Sequence, residues 1–310
     1  MNPHKKRWMP GLPAPLEGIL WMASAAVCWA LNTILIRPIS LELPPIELLF
    51  LRCFFAAILF IPFIAKVGLK GMRMGRPRLY FMRATVMFVS MLMWIYAVKL
   101  LPIAEAVSLG FTAPLFATML AALLLREKVG IRRWTAVFFG FVGAMVIIRP
   151  GIAVFDTAAI FVLINAATWA SAIILSRVMS TTESPTVVVG YMFIMLTPAT
   201  FIPTLFVWQT PSWLALGLVF TLAATGTLGH IAVSRALTVA ETSVVVPLEY
   251  LQLPLAALAS YFLFAEVPDI WTPVGAAIII AAVLYIGHRE AVRARAAHKP
   301  VPEPAGPPEA

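Results

Sequence analysis

The sequence predicts an all-α integral membrane protein: ten transmembrane helices arranged as two inverted five-helix repeats, with both termini in the cytoplasm. Three observations carry that expectation. The 310 residues are 61% hydrophobic with a mean hydropathy of +0.93, and only 12% are charged, about half the charged share of a soluble domain. A single soluble core stops growing near this length and could not hide so much apolar side chain. The apolar residues fall into ten blocks, and the two halves of the chain resemble each other.

The blocks run over 16–36, 46–66, 79–99, 102–125, 131–149, 156–177, 186–208, 212–237, 243–265 and 270–288. Each is near the ~20 residues that carry a helix across ~30 Å of hydrocarbon. The first follows a basic stretch (His4, Lys5, Lys6, Arg7) and runs from Leu16 to Ile36, longer than the apolar region of a signal peptide, so it is read as a retained first span. Short links make consecutive helices antiparallel neighbours. The expected division is a cytoplasmic segment 1–15, a first repeat 16–149, a second repeat 156–288 and a tail 289–310. The tail turns basic and then rich in proline (Pro300, Pro302, Pro304, Pro307, Pro308), a composition that favours disorder.

Net charge is +9 with a pI near 9.9, which would suit nucleic acid if the basic residues shared a face. They lie instead in short runs between apolar blocks. With the N-terminus inside, 18 of the 23 Lys and Arg residues fall on the cytoplasmic side, Arg37, Lys99 and Arg149 on the other, and Arg52 and Arg83 within spans. That asymmetry is the positive-inside signal. It places the chain in the cell inner (plasma) membrane as a multi-pass protein, with the lipid bilayer as its partner and no nucleic acid. Cys28 and Cys53 lie within apolar blocks and read as small packing residues rather than a disulfide.

Laying 18–40 over 158–180 aligns seven identical residues in 23, among them Trp29/Trp169, Ala30/Ala170 and Arg37/Arg177. Later in each half Glu127 and Glu266 both close an apolar helix, and Pro114 and Pro254 fall within one residue of register. Five spans per half force the second repeat to enter the membrane inverted, and inverted repeats place a site near the midplane between them.

On these residues the chain resembles the drug/metabolite transporter superfamily, in its ten-helix branch with two EamA domains. The resemblance covers roughly 16–288. It rests on the paired Trp29-Ala30 and Trp169-Ala170 helices, Tyr96-Ala97-Val98 with Pro102-Ile103-Ala104-Glu105-Ala106, Pro114, the closing Glu127, and Pro247-Leu248-Glu249-Tyr250. It implies a central cavity lined by the first, third, fourth, sixth, eighth and ninth helices, with Tyr96 among the binding residues, and a small-molecule substrate. The Pro102-to-Pro150 region is most similar to carriers of S-adenosylmethionine and riboflavin. Other members export amino acids or amino-acid-derived metallophores, which is the alternative expectation.

Polar side chains inside spans point to the same region, since each needs a reason to be in hydrocarbon. Asn32 lies one turn from Trp29 and Asn165 one turn from Trp169. An amide beside an indole can hydrogen-bond and stack a planar polar ligand, or the asparagines simply join helices. His230 on the eighth span and Glu249 on the ninth lie roughly 10 Å inside the membrane at 1.5 Å per residue. At matching depth across one hairpin, they are expected to pair and to carry a proton, or else to form a helix-to-helix bond, or Glu249 faces a cytoplasmic vestibule and is solvated. Tyr250 and Gln252 extend this cluster. Pro114 and Pro254 are expected to kink their helices and act as gates. Arg83 and Arg235, near helix ends, are expected to snorkel; Arg52 is deeper, needs a partner, and Glu47 is too far round the helix to supply one.

No phosphate-binding Gly-x-x-x-x-Gly-Lys loop, zinc motif or nucleophile elbow is present in the sequence, so no ATP hydrolysis, metal site, cofactor or catalytic residue is expected. Transport by alternating access is the leading reading, coupled to protons if His230 and Glu249 pair. A membrane enzyme or a non-transporting scaffold are the rival classes.

Overall fold

A computed structural model describes residues 12–71, 74–124, 130–149, 158–179, 185–240 and 245–297. These form eleven α-helices and one 3-10 helix, and no strand occurs among the described residues. The first half contains α1 (Ala14–Glu42), α2 (Pro45–Gly71), α3 (Pro77–Leu100), α4 (Ile103–Gly110), α5 (Ala113–Leu124) and α6 (Ile131–Ile148). The second contains α7 (Ala158–Met179), α8 (Pro185–Thr204), α9 (Trp213–Val239), the 3-10 helix Val246–Leu251, α10 (Gln252–Phe264) and α11 (Trp271–Ala297).

Lipid cannot hydrogen-bond a backbone, so a spanning segment must satisfy its own N–H and C=O groups, and a helix does that. Seven stretches are long and apolar enough to cross a membrane, with shorter apolar helices at Trp134–Ile148 and Trp271–Ile286. Prolines mark several helix starts: Pro15, Pro45, Pro77 and Pro185 lie in first turns, where the missing N–H costs nothing. Ser212 caps α9 by accepting a hydrogen bond from the Ala215 N–H at 3.1 Å. At the other end of the chain α11 continues to Ala297. Residues 289–297, expected to begin a disordered tail, therefore extend the last helix. The prolines beyond fall outside the described residues, as does the whole 126–129 link with Glu127.

The fourth and ninth spans differ from the sequence expectation of continuous, proline-kinked helices. Each is broken. One break separates α4 from α5 at Phe111–Thr112, and the other is the 3-10 helix leading into α10. Pro114 is thereby the second residue of α5 and Pro254 the third of α10. A proline inside a helix loses a bond and clashes with the carbonyl four residues back, whereas in a first turn it does neither. The two breaks touch: the rings of Phe111 and Tyr250 meet edge-on at 4.8 Å.

Helix packing respects an exchange of the two halves. The α1–α9 contact corresponds to α7–α3, and α1–α10 corresponds to α7–α5, while α2 packs on α8 and α6 on α11. At the end of the bundle remote from the N-terminus, polar contacts tie the halves together. The Arg37 guanidinium pairs with Glu266 and donates to the carbonyls of Val98 and Leu101. Glu266 also accepts from Ser260 and from the Ile103 N–H at the start of α4. Arg149 pairs with Asp269, Glu42 accepts from Ser212, and Glu47 accepts from the Gln209 N–H.

The α6–α11 crossing depends on two glycines. A methyl group added at Gly143 would sit 2.8 Å from the Gly275 carbonyl oxygen, and one at Gly275 would collide with Ile147. Close backbone approach through small residues is a general way for helices to associate in lipid. Gly143→Val and Gly275→Val should each destabilise the protein by ~1–3 kcal/mol through overpacking, read as a lower melting temperature in detergent. Melting unchanged in both variants would show that this crossing contributes little.

Candidate substrate site at the centre of the helices

Four helices bring side chains to one level. Trp29 lies near the middle of α1, Arg52 near the middle of the apolar stretch Pro45–Pro62, Trp169 near the middle of α7, and Gly226 near the middle of α9, with His230 one turn further. His230 sits between the two tryptophans. The Trp29 ring meets it edge-on at 4.8 Å and the Trp169 ring lies nearly parallel to it at 6.3 Å. The close packing partners of α9 are α1 and α2, not α7. The Trp169 and His230 rings therefore meet although α7 is not a close neighbour of α9. All three rings remain half-buried rather than sealed.

Small residues on α9 let α1 and α2 approach this cluster closely. A Cβ at Gly229 would sit 3.2 Å from the Trp29 indole, and one at Gly226 would sit 3.2 Å from the Asn32 amide nitrogen. Asn32 is buried and donates to the Leu222 carbonyl at 2.8 Å. Asn165 donates to the Ser90 carbonyl at 2.8 Å and to its hydroxyl at 2.9 Å. Both asparagines thus join helices, α1 to α9 and α7 to α3, in addition to flanking the tryptophans. Tyr96 packs on Phe161 of α7 at 5.6 Å. Tyr250 lies at the broken fourth and ninth spans against Phe111, with Glu249 before it on the 3-10 helix and Gln252 opening α10.

Two expectations are corrected. No hydrogen bond or ion pair joins His230 to Glu249 among the described residues: His230 is held between aromatic rings, while Glu249 is accessible and unpaired. Equal depth along a hairpin does not set the rotation of each helix, and the 3-10 segment changes that rotation further. Arg83 does not snorkel. It is buried, donating to the Ser176 hydroxyl at 2.8 Å and the Val188 carbonyl at 3.4 Å, because α7 and α8 offer acceptors that one helix cannot show. Arg235 lies over the Trp21 ring at 4.5 Å.

A groove of about 440 Å³ between α2 and α8, lined by Phe54, Ile58, Ile61 and Ile194 among others, is almost wholly apolar and faces outward. It is lipid-contacting surface.

Multi-pass helices in two pseudo-symmetric halves, with aromatic and polar side chains gathered between them, define a membrane transporter of a small molecule. The chain belongs to the EamA-like transporter family, whose model matches residues 16–149 and 156–287. It is similar to the S-adenosylmethionine uptake transporter of Rickettsia prowazekii, 29% identical over 89% of this chain and 94% of the relative. It is likewise similar to the riboflavin transporter of Vibrio cholerae, 31% identical over 91% of this chain and 96% of that one. A solved crystal structure 17% identical to it, covering 91% of this chain and 99% of its own, superposes with a TM-score of 0.64 and shares the fold.

Gly229→Val tests the room around the tryptophans. The added side chain meets the Trp29 indole, so the variant should fold yet shift the tryptophan emission maximum and abolish substrate-dependent fluorescence change. Emission and ligand response like those of the parent would mean that Trp29 does not border the binding space.

Proposed function

We propose that this chain is a secondary transporter of the cell inner membrane, working by alternating access across ten spans with both termini in the cytoplasm. Its substrate is a planar or zwitterionic metabolite of the S-adenosylmethionine or riboflavin kind. The observation that carries this reading is the pair of tryptophans from pseudo-symmetric helices enclosing His230 at mid-span. Indole faces attract flat rings and cations, and a site between inverted repeats can be opened to either side by rocking one half against the other. Trp29, Asn32, Tyr96, Asn165, Trp169, His230, Glu249, Tyr250 and Gln252 are the proposed substrate-binding residues. The broken spans at Pro114 and Pro254 are the proposed gates, because a helix already interrupted can bend there without losing further backbone bonds. Export of an amino-acid-like compound is the same machine run by the opposite gradient.

Counterflow in proteoliposomes tests the core of this reading. Vesicles loaded with unlabelled S-adenosylmethionine or riboflavin should transiently accumulate the matching label from outside, and Trp29→Ala should lower the initial rate by roughly tenfold or more, the loss of one aromatic contact of ~1.5 kcal/mol. Equal accumulation in protein-free vesicles would remove the proposal.

Proton coupling is proposed through Glu249 and His230, the accessible carboxylate and the imidazole of the central region. Glu249→Gln and His230→Ala should each abolish accumulation driven by an imposed pH gradient. Undiminished gradient-driven accumulation in both variants would end the coupling proposal.

A further inference from the structure

Arg52 lies seven residues into α2, roughly 10 Å along the helix at 1.5 Å per residue, and only 8% of it is exposed. That depth leaves a guanidinium poorly placed to snorkel. It makes no hydrogen bond or ion pair among the described residues. One of its nitrogens, Nη2, lies 3.6 Å from the point that a Cβ on Gly226 would occupy, and Asn32 Nδ2 lies 3.2 Å from the same point. Gly226 thus sets no side chain beside the Arg52 guanidinium, and the Asn32 amide nitrogen there is already donating to Leu222 and Thr225. His230 follows one turn along α9 on the same face, and both Arg52 and Arg83 lie within electrostatic reach of it.

The neighbouring polar groups leave Arg52 uncompensated. Arg83 is occupied by Ser176 and Val188. Asn32 offers donors, not a charge. Glu42, Glu266 and Asp269 are committed at the far end of the bundle to Ser212, Arg37 and Arg149, and Glu47 accepts there from the Gln209 N–H with its other oxygen unpartnered, while Glu249 on the 3-10 helix makes no ion pair with Arg52. A buried cation without a counter-charge is costly, and within a membrane it marks a place where an anion belongs. A guanidinium is also the side chain best shaped to take a carboxylate with two parallel hydrogen bonds.

We propose that Arg52 is the carboxylate-binding residue of the central cavity, so that the transported metabolite carries an amino-acid-type carboxylate beside its planar or cationic portion. This rests on the reading of the tryptophan-lined centre as the substrate site. It divides the two substrate kinds considered above: S-adenosylmethionine has such a carboxylate, and riboflavin has none.

The full chain, purified in detergent, is titrated with S-adenosylmethionine, its decarboxylated analogue and riboflavin, and binding is read by tryptophan fluorescence and checked by thermal shift. Expected is binding of S-adenosylmethionine at least about 30-fold tighter than its decarboxylated analogue, the lower bound for losing one partner of a desolvated charge pair. In Arg52→Gln that ratio should fall toward one, and Arg52→Lys should retain part of it. The comparison of the two ligands on the unaltered chain does not depend on any variant folding. Equal binding of the two ligands to the unaltered chain overturns the role of Arg52 and leaves the central site standing. Binding of riboflavin alone overturns it equally and leaves the transporter reading intact. Failure of all three to bind folded protein, with no counterflow of any, overturns the central substrate site along with it.

Discussion

Hydrocarbon offers no partner to a peptide group, and this constraint organises the molecule. Each span closes its own backbone bonds by being helical. Where a helix is interrupted in mid-span, the interruption must be sheltered by protein. Both interruptions obey this. At Phe111–Thr112 the backbone is held by turn bonds, with the Thr112 N–H donating to the Leu109 carbonyl at 3.0 Å and the Leu115 N–H to the Thr112 carbonyl at 2.9 Å. The 3-10 helix Val246–Leu251 keeps its bonds in the tighter pattern. The two interruptions meet through Phe111 and Tyr250, so irregular backbone is concentrated where the halves touch.

The same exchange of halves that relates the packing also relates Trp29 to Trp169, yet the chemistry between them is unsymmetrical. Among the described residues, α9 alone contributes a histidine and α2 alone an arginine at this level. Asn32 follows its tryptophan by three residues while Asn165 precedes its own by four. Because α1 and α7 run in opposite directions in an inverted repeat, both amides fall on the same side of the tryptophan level. A near-symmetric scaffold thus holds a polar, directional lining.

Three arginines on α1, α2 and α3 show how tertiary context decides the fate of one residue type. Arg37 is neutralised by Glu266 and by carbonyls at a helix end, and in doing so joins α1, α10 and the start of α4. Arg83 is spent on neutral acceptors from two neighbouring helices. Arg52 has neither kind of partner, and faces a glycine. In sequence the signal was a charge near the middle of a span with no acidic residue a turn away. That marks Arg52 as unusual without telling what it faces.

The sequence by itself determined that the chain is helical and membrane-embedded, and that its halves repeat, because these follow from hydropathy summed over ~20 residues and from residue identities at a fixed offset. It also singled out Trp29, Trp169 and His230, since a polar or amphipathic side chain in a span stands out against its neighbours. Only the tertiary structure decided which of these meet. It set His230 between the tryptophans rather than against Glu249, committed Asn32 to Leu222 and Asn165 to Ser90, buried Arg83, and turned two supposed kinks into helix starts. Those outcomes depend on the rotation of each helix about its axis and on which helices become neighbours. Both are set by side-chain packing between segments far apart in the chain, and a pattern read along one segment holds no information about either.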